Sequence, residues 1–187
     1  MPFEVNKVKF GPGTLYAAPV GTVEPVDLTT AWATVAPAWT ALGYTDEGHT
    51  FTYSPSFDPV EVAEALLRIR SVQTGLEAGL EFALAEMTAK NLQYAFNGGT
   101  IVTATGITTF EPPAATDQAV RLAIGWESDK DPDTGLVTER WVYRKCLQTG
   151  DVAIARQKAP NKATIPMNLT LEEVTGKKPF KRVSNET

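Results

Sequence analysis

Residues 76–99 read LEAGLEFALAEMTAKNLQYAFNGG, and the fold turns on how this stretch is read. In its first half Leu76, Ala78, Leu80, Phe82 and Leu84 alternate with Glu77, Gly79, Glu81, Ala83 and Ala85. Successive side chains of a strand point to opposite faces, so this period of two puts apolar groups on one face and acidic or tiny ones on the other. Then the period changes. Thr88 is placed to cap a helix, Met87 before it is positioned to staple onto Leu92, and Gly98 with Gly99 ends it. The predicted helix, 88–97, carries Leu92, Ala95 and Phe96 on one stripe, wide enough to close over one side of a sheet.

The same reading extends outward in both directions. Upstream, residues 49–57 (HTFTYSPSF) alternate Phe51 and Tyr53 against Thr50, Thr52 and Ser54, the pattern of a half-buried strand. Between the two strands, Asp58, Pro59 and Glu61 could serve as N-cap, first position and capping-box acid, so local propensity over 58–72 favours a helix. Downstream, residues 100–109 are β-branched and strand-like, and EPPAAT (111–116) is a loop because proline cannot join a ladder. Val120, Leu122, Ile124 and Trp126 alternate with Arg121, Ala123 and Gly125, and a second strand over 137–147 follows a polar turn, which reads as a long hairpin. Ile165, Met167, Leu169 and Leu171 make a last strand, with Pro166 marking an edge position or a bulge. Residues 10–48 are rich in Gly, Pro, Thr and Ala and read as an extended, turn-rich arm in which Trp32 and Trp39 are isolated anchors. The end, GKKPFKRVSNET, reads as a solvated basic tail.

Many strands with one central helix imply a mainly β (α+β) chain, a β-sandwich or half-barrel with a flanking helix. A length of 187 residues suits one domain with a proper core. Within it we expect an arm at 1–48, the sandwich at 49–175 and the tail at 176–187.

Composition narrows the chemistry. Hydrophobic residues at 43% and charged residues at 21% are near the globular average, which argues against both disorder and a membrane protein. The start, MPFEVNKVKF, lacks the halves of a signal peptide, so the chain is expected to stay where it is made. Cys146 is the one cysteine and His49 the one histidine, leaving no internal disulfide and no basis for a Cys/His zinc site. A net charge of −5 argues against tight nucleic-acid binding, which needs clustered Lys and Arg, but not against a protein that lets DNA pass. DKDPDTG offers Asp129, Asp131 and Asp133 at the alternate spacing of a calcium loop. The match then fails: Gly135 falls one place late, Pro132 stiffens the interior, and Arg140 stands where the closing glutamate is needed. A triad of Cys146, His49 and Asp46 can be drawn, yet nothing in the sequence brings the three together. Glu172 and Glu173 point to opposite faces of a regular strand, and Gly176-Lys177-Lys178 lacks the upstream glycine of a phosphate loop. No catalytic, cofactor or metal-binding residue is expected.

Several strings carry a resemblance. GTLYAAPVGT (13–22) followed by a proline, AWTALGYTDEG (38–48), VEVAEA (60–65) and above all FALAEMTAKNLQYAFNGG (82–99) resemble, in this order and spacing, the major tail tube proteins of siphophages that infect actinobacteria. The likeness covers residues 13–99, and the second half fits by strand-rich pattern and length. It implies a sandwich similar to the tubes of other long-tailed phages and of type VI secretion. It further implies six subunits per ring, inner strands joined into one barrel around a channel, and rings stacked along the tail. The partners implied are the chain itself, the tape-measure protein, the tail terminator and tail-tip proteins, and DNA that passes without specific binding. The location implied is the virion tail, reached by assembly in the host cytoplasm. Over 58–72 the resemblance favours strand and then loop over the helix that propensity suggests, and ALLRIRS (65–71) departs from the more polar turn that the resemblance implies there.

Site expectations follow from combining the two readings. If the apolar row of the 76–85 strand faces the core, Glu77, Gly79, Glu81 and Ala83 face the lumen, and Glu61 joins them from the partner strand. Trp32, Trp39 and Tyr44 are expected at a subunit interface, because the arm has little core of its own and a neighbour could bury the indoles. The alternative is a tail-decorating or tail-tip sandwich that binds host-surface carbohydrate through exposed Trp32 and Trp39.

Overall fold

The structure, a computed structural model, describes residues 11, 13–61, 67–132, 135–156, 158 and 161–185. Along the chain run β1 (Gly13–Pro19), α1 (Trp32–Val35), β2 (Thr40–Ala41), β3 (Thr45–Val60), β4 (Arg70–Leu84) and α2 (Ala89–Ala95). They are followed by β5 (Thr100–Ala104), β6 (Ile107–Glu111), β7 (Leu122–Ser128), β8 (Glu139–Gln148), β9 (Ile165–Leu171) and β10 (Phe180–Ser184). The chain is mainly β, as its alternation predicts.

Strand β8 organises the sandwich. One of its edges pairs with β7. Its other edge is shared, with β10 along Glu139–Tyr143 and with β9 at Cys146–Gln148. At that fork the sheet divides into two layers, β2-β1-β7-β8-β10 and β9-β4-β3, all antiparallel. The inner faces meet in one core that includes Leu15, Ile124 and Tyr143 from the first layer and Leu80, Leu84 and Met167 from the second. Phe51 of β3 closes the far side, with its ring 5.1 Å from Tyr143, 5.1 Å from Phe180 and 5.8 Å from Trp141.

The alternation is realised as read over 78–84: Leu80 and Leu84 are fully buried, Ala78 and Phe82 nearly so, while Glu81 is exposed; Leu76, on the apolar row, is exposed like Glu77 beside it. The helix starts where the cap predicts, with the Asn91 N–H donating to the Thr88 hydroxyl at 3.1 Å. Its fully buried residues are Asn91 and Ala95; of the predicted stripe Ala95 lies in the core and Leu92 packs against it, whereas Phe96 is exposed beside Phe110. Asn91 sits inside because its amide donates to two orphan carbonyls, Leu42 at 3.0 Å and Glu86 at 2.9 Å.

Several expectations are corrected. Residues 100–109 form a two-stranded hairpin whose turn, Thr105-Gly106, takes left-handed φ of 50° and 80°. Residues 58–60 and 70–72 are strand, which at 58–60 is what the resemblance favours over the helix of local propensity, and 62–66 lie outside the described residues. Pro166 is not on an edge strand: β9 lies between β8 and β4, and the proline is tolerated because β8 pairs with β9 only as far as Leu169. The basic end is no tail over 180–184; β10 pairs with β8, and Phe180 stacks on Trp141 at 5.5 Å.

The largest correction concerns the arm. β1 is an interior strand, and the chain after it folds back over the outer face of β1, β7 and β8. Trp32 and Trp39 are 2% and 3% exposed inside their own subunit. Trp32 stacks on Tyr16 with centroids 4.7 Å apart and meets Trp39 edge-on, also at 4.7 Å. The Trp32 ring lies directly over Gly125, where a Cβ would collide with it. Strand β7 is thereby buried on both faces. Ion pairs latch the arm down. Arg140, whose side chain is 3% exposed, pairs with Glu127 at 2.6 Å and donates to the carbonyls of Asp27 and Thr30 at 2.9 and 2.8 Å. Arg144 grips both oxygens of Glu24 at 2.6 and 2.9 Å, and that hydrogen bonding holds the Glu24 carboxyl below its usual range.

Candidate functional site: the outer face of the β9-β4-β3 layer

Register decides what lines this face, because paired residues of an antiparallel ladder share a face. Across from Glu77, Gly79 and Glu81 stand Ser54, Thr52 and Thr50 of β3. On the other side Glu81 faces Asn168, Gly79 faces Thr170 and Ala83 faces Pro166 of β9. The surface is polar and carries two carboxylates, and none of these paired positions holds a Lys or Arg. Gly79 keeps it low between the acids, and Ala83 keeps it low beyond Glu81. The hydroxyl row of β3 was legible in HTFTYSPSF, where Thr50, Thr52 and Ser54 already stood on the polar side. The contribution of β9 was not, because it depends on which strand β4 chooses as its second partner.

Glu61 does not belong to this group. It follows the last pair of β3 with β4, Val60 with Arg70, seven positions along β4 from Glu77. At about 3.4 Å per residue that is over 20 Å away. Alternation along β3 puts Glu61 on the side of Phe51 and Tyr53, so distance and parity both separate it from Glu77 and Glu81.

Of the three expected interface residues, only Tyr44 presents its side chain, 79% exposed, beside a turn in which Gly43 has φ of 84° and Glu86 accepts the Tyr44 N–H at 3.1 Å. Trp32 and Trp39 spend their rings and their N–H groups internally, the latter on Glu127 and the Val23 carbonyl, both at 2.8 Å. They are corrected from interface anchors to core. Their rings are equally closed to a sugar.

The remaining reactive groups are dispersed. Burial pushes the Cys146 thiol up to about 12, and its Sγ donates to the Tyr143 carbonyl at 3.9 Å. His49 is half-buried against Trp126, centroids 5.1 Å apart, and burial lowers its pKa. Glu172 binds Arg121 and Lys145 at 3.2 and 2.9 Å at the end of β9. Among the described residues no three His, Cys, Asp or Glu side chains gather where they could hold a metal ion, and Asp133 of the calcium-like stretch lies outside those residues.

The second feature of this layer is its edge. β3 is outermost, 16 residues long, and every described residue from 52 to 61 and from 67 to 74 is exposed. The far half of the β3–β4 hairpin therefore projects beyond the sandwich. Its core-side row continues outward as Pro55, Phe57 and Leu76, with Phe57 56% and Leu76 42% exposed.

Comparison with protein families gives a match to the model of phage tail tube proteins across residues 6–187. No curated protein matches the chain.

Proposed function

Because this chain belongs to the phage tail tube protein family, a structural component of the virion tail, we propose that six copies close into a ring and that rings stack into the tube. The ring places the outer face of the β9-β4-β3 layer on the bore. The tape-measure protein occupies that bore during assembly and DNA crosses it at ejection, with terminator and tail-tip proteins at the two ends.

The carrying observation is the pairing of a polar, acidic sheet face with a long open strand edge. An open edge is a template for another strand, and closing strands from several copies into a barrel removes it. The acidic face supports a bore assignment because Glu77 and Glu81, repeated by each copy, repel phosphates and let DNA slide without sticking. Stacking is supported by the projecting hairpin, whose apolar row at Pro55, Phe57 and Leu76 is left exposed by the described residues. A head-to-tail contact of that kind does not close on itself and so propagates as a filament.

The test separates assembly from conduction. Glu77→Lys with Glu81→Lys is expected to leave tails of normal appearance in micrographs and to slow DNA delivery, with the defect easing as salt rises. Normal tails delivering DNA at the normal rate at every salt concentration remove the bore assignment. A chain that stays monomeric up to millimolar concentration, even when seeded, removes the tube.

A further inference from the structure

The projecting half of the β3–β4 hairpin is a ribbon of two strands only. β9 covers β4 just along Gly79–Leu84 in the register, and among the described residues β3 has no partner on its far side. Beyond the pair Pro55 with Leu76, both outer edges of the ribbon are unpaired among the described residues, over about 20 Å of length at ~3.4 Å per residue. A two-stranded ribbon is marginal in water and gains stability from added strands.

The two edges differ in charge on a shared face. Asp58 of β3 pairs in register with Val72, and Val60 pairs with Arg70 of β4. The single-residue bulge between Ser56 and Phe57 in this register preserves that alternation on β3, so Asp58 and Arg70 point to the same side from opposite edges. Both are exposed, and neither forms an ion pair with any described residue. The ribbon thus carries one carboxylate on its β3 strand and one guanidinium on its β4 strand.

We infer that the ribbons of neighbouring copies stand side by side, the β3 edge of one against the β4 edge of the next, with Asp58 of each copy set against Arg70 of its neighbour. The inference rests on the ring reading and specifies one of its contacts. Rotation of a copy about an axis along the strands brings β3 beside a neighbour's β4, which runs the opposite way, so the added pairing is antiparallel like all the rest. At equal height the directly opposed pair is Val60 with Arg70, and Asp58 lies diagonal to that arginine, within reach of so long a side chain. The competing two-fold contact, β3 against β3, offers Asp58 no cation in any register, because β3 holds no Lys or Arg. Charge therefore selects the cyclic arrangement over the two-fold dimer. Pro55 and Pro59 lack N–H groups, which thins the donors β3 can offer and leaves more of the choice of neighbour to these side chains.

The test uses four samples of the full chain beside the unaltered one: Asp58→Arg, Arg70→Asp, both changes in one chain, and an equal mixture of the two single variants. Light scattering and negative-stain microscopy give the concentration at which tubes form, and circular dichroism confirms that each dilute subunit is folded. Each single variant is expected to need about tenfold more protein, since every contact in the ring then sets like charges together. The double variant and the mixture are both expected to return towards the unaltered threshold; in the mixture each copy meets only copies of the other kind, which an even-numbered ring accommodates. Tubes from all samples at one threshold, or single defects that neither the double variant nor the mixture relieves, overturn the paired edges while the tube stands. An unaltered chain that forms no tubes overturns the ring and this contact with it.

Discussion

Trp32→Ala is expected to destabilise the isolated subunit by about 4 kcal/mol. The indole is 2% exposed, and burying a tryptophan removes roughly 150–250 Å² from water, which at about 25 cal/mol per Å² sets an upper bound near 4–6 kcal/mol. Truncation of a buried Trp commonly costs about 3–5 kcal/mol, and the upper part of that range applies where the site cannot collapse. It cannot collapse here. The floor of the site is Gly125, in the middle of β7 between two paired strands, and Tyr16 and Trp39 are held from the sides. The lost hydrogen bond adds little, because Glu127 keeps Arg140 at 2.6 Å. For a domain of this size about 4 kcal/mol lowers the melting temperature by roughly 8–16 °C. The measurement is urea and thermal unfolding of the dilute subunit, below the concentration at which it polymerises, with hydrogen exchange on residues 31–42. A variant within about 1 kcal/mol of the unaltered subunit, or a loss seen only in assembled tubes, would refute the packing of the arm on its own sheet and revive Trp32 as a contact between copies.

Arg140→Met is expected to cost about 3–5 kcal/mol, because it strands the largely buried Glu127 carboxylate, and adding Glu127→Leu should recover part of that loss in denaturant unfolding. His49 has its folded pKa lowered by burial below its ordinary 6.5, so between the two values the unfolded chain binds more protons. Its share of stability is complete above about pH 6.5 and is lost as pH falls through the folded value; a series of unfolding curves from pH 8 to 5 should show this slope, and His49→Gln should flatten it. Cys146, with its thiol pushed up to about 12 and fully buried, should resist alkylation at pH 8 in the folded protein and react at once in urea, while Cys146→Ser costs about 1 kcal/mol and leaves assembly intact.

Local pattern was enough for part of this molecule. The alternation of Leu76 to Leu84 fixed the two faces of β4 and put Glu77 and Glu81 together on the wet one, since a period of two follows from the strand itself. Thr88 and Gly98-Gly99 located the helix, because capping is satisfied within a few residues. What lay beyond was decided by partners distant in sequence. Alternation shows that Ala123 and Gly125 share a face of β7, but not that Trp32, some ninety residues earlier, would cover it and turn two presumed contact residues into core. Nothing local in PFKRVS announces that β10 finds the free half of the β8 edge. Glu61 was misplaced for the same reason. Which β3 residues stand across from Glu77 and Glu81 depends on the register of the hairpin, and shifting that register by one residue exchanges the faces of a whole strand. Periodicity tells a side chain which of two ways to point; only the packed tertiary structure determines what it meets there.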